Sequence, residues 1–134
     1  MRRCLLVAFL LLPSLAFGAD AAFESRYQSA LTVWKTPEGK AYAKSSSAVL
    51  RATMKQAQKD CPMPSIFALL RGIEYRFVYA VGADGRLTNV AMDPANPSTR
   101  CAAGLLSKAT FPAPPRGDWP GAISIRINKK APAK

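Results

Sequence analysis

A β-hairpin in the middle of the chain constrains the fold more than any other sequence feature. From Ile73 to Val81, bulky apolar side chains occupy every second position, which is the period of a strand with one face in a core. Gly82-Ala83-Asp84-Gly85 follows, and an Asp-Gly pair tolerates the positive φ angles of a tight turn. Leu87–Met92 supplies the returning strand. The sequence therefore predicts two antiparallel strands joined by a tight turn.

Two helices are predicted before this hairpin. In residues 22–34, apolar side chains recur at intervals of three and four, which places them on one helical face. Thr36-Pro37-Glu38 begins a second helix, because threonine caps free N–H groups and proline suits the first helical position. This helix is expected to run to about Asp60, since Cys61-Pro62-Met63-Pro64 cannot easily continue it. A short helical turn is then expected over residues 65–71.

A third helix and a third strand are predicted after the hairpin. Ser98 or Thr99 is expected to cap a helix over residues 98–109. A proline-rich segment, residues 111–121, then leads to the last strand, in which isoleucine stands at every second position. The phenylalanine and the tryptophan of the proline-rich segment are expected to plug the core.

The predicted fold class is α+β. Two N-terminal helices precede a β-β-α-β unit, in which a three-stranded antiparallel sheet is backed by a helix. The chain then divides into residues 1–18, a cleaved signal peptide; residues 19–62, an N-terminal helical segment; residues 63–128, the β-β-α-β domain; and residues 129–134, a basic tail.

Residues 1–18 have the pattern of a secretory signal peptide. Arg2 and Arg3 precede an apolar run, and Ala16-Phe17-Gly18 supplies the small residues of a cleavage site. We expect cleavage after Gly18, or as a second choice after Ala21, and a periplasmic or secreted protein. A membrane anchor is the alternative, but the apolar stretch is shorter than the roughly 20 residues of a spanning helix and contains a proline. The arginine pair does not decide between the general secretory route and twin-arginine export.

Signal cleavage would remove Cys4 and leave two cysteines. Cysteines in an exported protein usually pair, so we expect a disulfide between Cys61 and Cys101. A disulfide between these two cysteines, which are 40 residues apart, would raise the free energy of unfolding by about 4 kcal/mol in the chain-entropy description. A redox-active thiol is the alternative, and the lack of a C-x-x-C motif and of an activating histidine weighs against it.

The composition argues against an enzyme. The chain has no histidine, which excludes Ser–His and Cys–His nucleophile pairs and histidine metal ligands. Lys44 and Ser47 stand at helical spacing, but a Ser–Lys pair needs a desolvated lysine and this stretch is polar. No two carboxylates pair as acid and base, and no run of oxygen ligands suits calcium. We therefore expect a non-catalytic protein without a cofactor or a metal.

The surplus of basic residues is a second guide to function. The formal net charge is +11, from 19 Lys and Arg against 8 Asp and Glu. Four cations of the second predicted helix form a candidate basic face: Lys44, Arg51, Lys55 and Lys59. An anionic envelope lipid, a glycan or an acidic protein suits this face, whereas export argues against nucleic acid. A solvated surface that aids solubility is the alternative.

The second half of the chain resembles the TonB C-terminal domain superfamily. The matching stretches are Pro64 with residues 68–74, the hairpin at 77–90, the helix end with its Phe-Pro exit at 105–113, and the last strand at 121–127. The resemblance covers about residues 64–128. Asp93-Pro94-Ala95-Asn96-Pro97-Ser98 replaces the family's small-residue motif, and we expect neither the membrane anchor nor the long proline-rich spacer of a true energy transducer. The resemblance therefore implies the fold and not the energy-coupling role.

In this family the last strand accepts an extended peptide. The resemblance therefore implies a docking edge whose main-chain groups bind by β-augmentation, with Ser124 and Arg126 tuning the binding. The residues of this edge are Ala122, Ile123, Ser124, Ile125, Arg126, Ile127 and Asn128. We expect the partner to be a periplasmic or outer-membrane protein. The alternative function is that of a periplasmic immunity or inhibitor protein. The alternative to an open edge is one shielded by the N-terminal helices or by a second copy of the chain, and the oligomeric state stays open.

Overall fold

The computed structural model describes residues 18–64 and 71–127, and it has the predicted α+β fold. The elements in chain order are α1 (Gly18–Trp34), α2 (Pro37–Asp60), β1 (Ile73–Val81), β2 (Leu87–Asp93), α3 (Pro97–Lys108) and β3 (Trp119–Ile127). The predicted signal peptide up to residue 17, the predicted turn at residues 65–70, Asn128 and the basic tail lie outside the described residues.

The start of α2 is fixed by local hydrogen bonding and by a close approach to α1. The Thr36 hydroxyl accepts a hydrogen bond from the Gly39 N–H at 3.0 Å, and Pro37 follows at the first helical position, as predicted. Glycine costs a helix about 1 kcal/mol relative to alanine. A Cβ atom on Gly39 would lie 2.2 Å from the Val33 carbonyl oxygen, so the tight turn between α1 and α2 requires a glycine here.

The three strands form one antiparallel sheet in the order β2-β1-β3. The turn between β1 and β2 closes with a hydrogen bond from the Gly82 N–H to the Arg86 carbonyl at 2.9 Å, and Gly85 adopts a φ of 79° that glycine tolerates. The β1–β2 pairing shifts register between Val78 and Ala80. The β1–β3 pairing runs without interruption from Ile73↔Ile127 to Val81↔Trp119.

Helices cover both faces of the sheet. Arg76 and Phe77 are neighbours on β1 and therefore point to opposite faces. The guanidinium of Arg76 stacks on two aromatic rings of α1, whereas Phe77 belongs to a core that also contains residues of α2 and α3. Helix α1 thus packs on one face, and α2 and α3 pack on the other.

The core confirms the predicted role of the two aromatic residues that follow α3. Trp119 is fully buried and Phe111 is nearly so. The Tyr42 ring of α2 meets Trp119 edge to face with 5.7 Å between the ring centroids, and the Tyr42 hydroxyl donates to the Pro112 carbonyl at 2.9 Å. These contacts attach α2 to the proline-rich segment and to the first residue of β3.

The prediction for the start of α3 was wrong by two or three residues. The N-cap is Asn96, not Ser98 or Thr99. The Asn96 side chain accepts from the Thr99 N–H at 3.0 Å, and the Thr99 hydroxyl accepts from the Asn96 N–H at 2.9 Å. This reciprocal pair is a capping box, and Pro97 then occupies the first helical position, where its missing N–H costs nothing.

The predicted disulfide is present. Cys61 and Cys101 are bonded, with their Cα atoms 5.6 Å apart. The bridge joins the end of α2 to the first half of α3. It therefore connects the N-terminal helical segment to the β-β-α-β unit.

Candidate partner-docking edge

The outer side of β3 is the more open of the two sheet edges. On the β2 side, Thr110 bridges to Arg86, and the Phe111 N–H donates to the Gly85 carbonyl at 2.8 Å. Helix α3 also packs against β2. Within residues 18–64 and 71–127, no strand pairs with the outer side of β3. An edge of this kind presents main-chain groups that an extended chain can pair with.

The hairpin determines which main-chain groups of β1 point toward β3. The Gly82 N–H donates to Arg86 across the turn, so Gly82 points toward β2. Directions alternate along a strand, so the odd-numbered residues of β1 direct their N–H and C=O groups toward β3. Their partners on β3 are the odd-numbered residues from Trp119 to Ile127.

The even-numbered residues of β3 consequently direct their main-chain groups away from the sheet. The groups that can accept a partner strand belong to Ala122, Ser124 and Arg126, and we refer to these three residues as the outward set. All three belong to the docking edge predicted from the resemblance. Ser124 and Arg126 are exposed and Ala122 is partly exposed.

Pro120 and Trp34 close the N-terminal end of this edge. The Trp34 indole donates to the Pro120 carbonyl at 2.9 Å, and that carbonyl belongs to an even-numbered, outward-facing residue. Proline also has no N–H to offer a partner. The edge available for pairing therefore begins at Ala122, and not at the first residue of β3.

Helix α1 is fixed to the sheet by Arg76. The Arg76 guanidinium lies 5.3 Å from the Phe23 ring centroid and 5.1 Å from that of Tyr27, and it forms salt bridges with Glu24 at 2.7 Å and Asp93 at 2.5 Å. Hydrogen bonds to Asp93 and then to Glu24 raise the pKa of Arg76 above its ordinary value. The cluster ties the start of α1 to the end of β2.

The path of α1 leaves the side chains of Ser124 and Arg126 on β3 exposed. Its first turns lie over Arg76 and the end of β2, while its last residue, Trp34, reaches the start of β3. The helix therefore crosses the sheet diagonally. Arg126 pairs with Glu74 of β1, beyond the Arg76 contact with α1, and Ser124 pairs with Arg76 itself. The Ser124 hydroxyl donates to the Glu74 carboxylate, and Arg126 approaches the same carboxylate at 3.8 Å.

An apolar cavity lies on the other face of β3. Its volume is about 380 Å³, and Ile125 and Ile127 form its wall on the β3 side. Met54 and Ala57 of α2 line the opposite wall, and Met63, which is 70% exposed, also lines the cavity. The two sides of the docking edge therefore differ: one is apolar and concave, and the other is polar and charged.

The predicted basic face lies on α2 and is separate from the edge. Lys44, Arg51, Lys55 and Lys59 are all exposed. The Ser47 hydroxyl donates to the main-chain carbonyl of Lys44 at 2.9 Å.

The described part of β3 confirms that residues 122–127 form one strand, whereas the predicted Asn128 lies outside the described residues.

Two residues that shape the edge were missed at the sequence level. Pro120 stands within the alternating pattern of the last strand, and proline in a strand belongs at an edge, so its position was a usable signal. Trp34 was assigned to the core-facing stripe of α1, and its hydrogen bond spans 86 residues of sequence. No local pattern predicts a contact of that range.

Within the described residues, no group of three or more Asp, Glu or Cys side chains is arranged to hold a metal ion. None of the helices described there is both long and apolar enough to cross a membrane. A scan against protein-family models, a search of curated proteins and a search of solved structures each found no match to this chain.

Proposed function

We propose that this protein is an exported, non-catalytic interaction module that binds an extended segment of an envelope protein as a fourth strand beside β3. One observation carries the proposal. The main-chain groups of the outward set face away from β1, and no described strand pairs with them. Three outward residues offer about six main-chain hydrogen bonds to an antiparallel partner.

The two sides of the edge indicate what the partner looks like. Side chains of an added strand alternate between the two faces of the sheet. On one face they would meet the apolar cavity beside Ile125 and Ile127, and on the other they would meet Ser124 and Arg126. The best partner is therefore an extended segment with apolar residues at every second position and polar or acidic residues between them.

The relation to the TonB C-terminal domain superfamily remains part of the proposal. The β-β-α-β order of residues 73–127 agrees with the order that the resemblance implied. The position of β3 at an edge of the sheet supports the proposed use of the last strand as the docking strand. The family's energy-coupling role is not included, since none of its receptor contacts could be assigned to residues of this chain.

Export to the periplasm or to the exterior is the proposed location. The disulfide between Cys61 and Cys101 supports it, because such bonds persist mainly in oxidising compartments. The signal-like residues 1–18 support it independently.

The test compares proline with alanine at the same outward position. Arg126→Pro removes an outward N–H and places a ring against the partner, whereas Arg126→Ala removes the side chain and keeps the N–H. Capture is measured by crosslinking in cell-envelope extract followed by mass spectrometry. We expect one partner, crosslinked through residues 122–127, with capture reduced at least about tenfold by proline and at most a few-fold by alanine, because an exposed charge pair contributes less than about 1 kcal/mol.

Two results would overturn this proposal. Equal capture by a folded Arg126→Pro variant would mean that the outward main-chain groups are not used. A stable dimer in light scattering that Arg126→Pro dissociates would mean that a second copy of the chain occupies the edge. Circular dichroism of each variant verifies that the fold is retained.

A further inference from the structure

The outer face of α2 carries a continuous row of cations. Lys40 extends the basic face predicted from the sequence by one turn. The α2 basic row is defined as Lys40, Lys44, Arg51, Lys55 and Lys59, and every member is exposed. At about 100° per residue the row occupies an arc of about 100°. With a rise of about 1.5 Å per residue it is about 29 Å long.

No described carboxylate pairs with this row. The salt bridges of the described residues join Glu24, Asp93, Glu38 and Glu74 to arginines on other elements. The acids of α2 itself, Glu38 and Asp60, fall on the other side of the helix at about 100° per residue. Asp60 accepts a hydrogen bond from Gln56 at 2.5 Å. The row is therefore a local concentration of positive charge and not a set of balanced ion pairs.

Small residues lie beside the cations on this side of α2. Ala41, Ala48 and Ala52 are exposed on this side of α2, whereas Tyr42 and Ser46 are buried on the opposite side. Small side chains allow the helix to lie close to a flat surface. No large apolar side chain interrupts the row, so attachment would depend on charge and not on insertion into a hydrocarbon layer.

We propose that the α2 basic row binds the headgroups of a membrane surface that contains anionic lipids. A row about 29 Å long within one arc of the helix matches a surface that is flat over that distance and carries negative charge throughout. This inference depends only on α2 and is independent of the docking edge on β3. If both hold, the module attaches to a membrane through α2 and keeps the outer side of β3 available.

Vesicle cosedimentation tests the proposal, with the protein purified in the form that its own host produces. Vesicles of phosphatidylglycerol mixed with phosphatidylcholine are compared with vesicles of phosphatidylcholine alone. The test variant combines Lys44→Gln, Arg51→Gln and Lys55→Gln. The matched control combines Lys35→Gln, Arg71→Gln and Arg86→Gln, which removes the same charge from exposed positions outside α2.

We expect binding to the anionic vesicles alone, weakened by salt. Each cation lost from the row should lower the partition coefficient about fivefold, so the test variant should lose about 100-fold and the control far less. Equal losses in both variants would overturn the proposal, because net charge would then suffice. Equally tight binding to vesicles made only of phosphatidylcholine would overturn it as well. So would tight binding to an acidic polysaccharide without binding to vesicles.

Discussion

Replacing Gly121 by alanine tests how closely β3 packs against β1. Gly121 pairs with Tyr79 across the two strands, and the Tyr79 ring lies over the glycine. A Cβ atom on Gly121 would lie 2.1 Å from Cε2 of that ring, 2.5 Å from Cζ and 2.7 Å from Cδ2. All three distances are shorter than carbon atoms can approach, so the ring or the strand must move.

The cost follows from how little room the ring has. Tyr79 is only 4% exposed, and its ring lies against Phe111 with 6.4 Å between the centroids. Overpacking of this kind costs about 1–3 kcal/mol, and three close contacts place it at the upper end. Replacing a strand glycine returns about 0.5–1 kcal/mol of backbone entropy. The free energy of unfolding should therefore fall by about 2 kcal/mol.

Urea unfolding and thermal melting measure this change. We expect the melting temperature of Gly121→Ala to fall by about 8 °C. Gly104→Ala is the control, because nothing lies within 4 Å of a Cβ atom there, and this exposed helix position should gain about 1 kcal/mol. In a Tyr79→Leu background, Gly121→Ala should cost less. A Gly121→Ala variant as stable as the wild type would refute the close packing.

Three further predictions concern contacts between elements of the fold. Replacing both Cys61 and Cys101 by serine should lower the free energy of unfolding by about 4 kcal/mol, measured by urea unfolding, and reductant should lower the urea midpoint of the wild type but not that of the double variant; a wild-type midpoint that reductant leaves unchanged would contradict the disulfide assignment. Trp34→Phe should cost about 1 kcal/mol by leaving the Pro120 carbonyl without its donor, and an unchanged urea midpoint would argue that water replaces the indole. The Glu24 carboxylate has a pKa below its ordinary value of 4.5, owing to hydrogen bonds from Gln28 and then Arg76. Its contribution to stability is therefore full above pH 4.5 and is lost as the pH falls through the lower folded-state pKa, so Glu24→Gln should reduce the fall in urea midpoint on acidification.

The elements that depend on local patterns could be predicted from the sequence. The alternation from Ile73 to Val81, the Asp84-Gly85 turn and the Thr36 cap each act over a few residues, and each is present in the structure. The pairing of Cys61 with Cys101 followed from there being two cysteines in a chain expected to be exported.

The arrangement of the helices could not be predicted in this way. An amphipathic pattern in α1 indicates that one side is buried, but it does not indicate which face of the sheet it covers. That choice depends on Arg76, which contacts Phe23, Glu24 and Tyr27 of a distant segment and Asp93 of the neighbouring strand. The start of α3 was missed because Asn96, Ser98 and Thr99 are all capable caps, and the structure uses Asn96 with Thr99 as its reciprocal partner.

The last strand was predicted in position, whereas its use as a docking edge stays a prediction. The resemblance indicated residues 122–128, and the strand register then showed which of them face outward. The closure of its N-terminal end by Trp34 was not predicted, because it depends on a contact between the last residue of α1 and the second residue of β3, which are far apart in sequence.

Amide hydrogen exchange along β3, followed residue by residue by NMR spectroscopy, tests the open edge most directly. The register predicts an alternation: the amides of Ala122, Ser124 and Arg126 exchange rapidly because they face solvent, while those of Ile123 and Ile125 are protected by hydrogen bonds to β1. Addition of the bound partner segment should then slow the three fast amides selectively. Uniform protection of all five amides in the free monomer would contradict the account, because the edge would already be occupied.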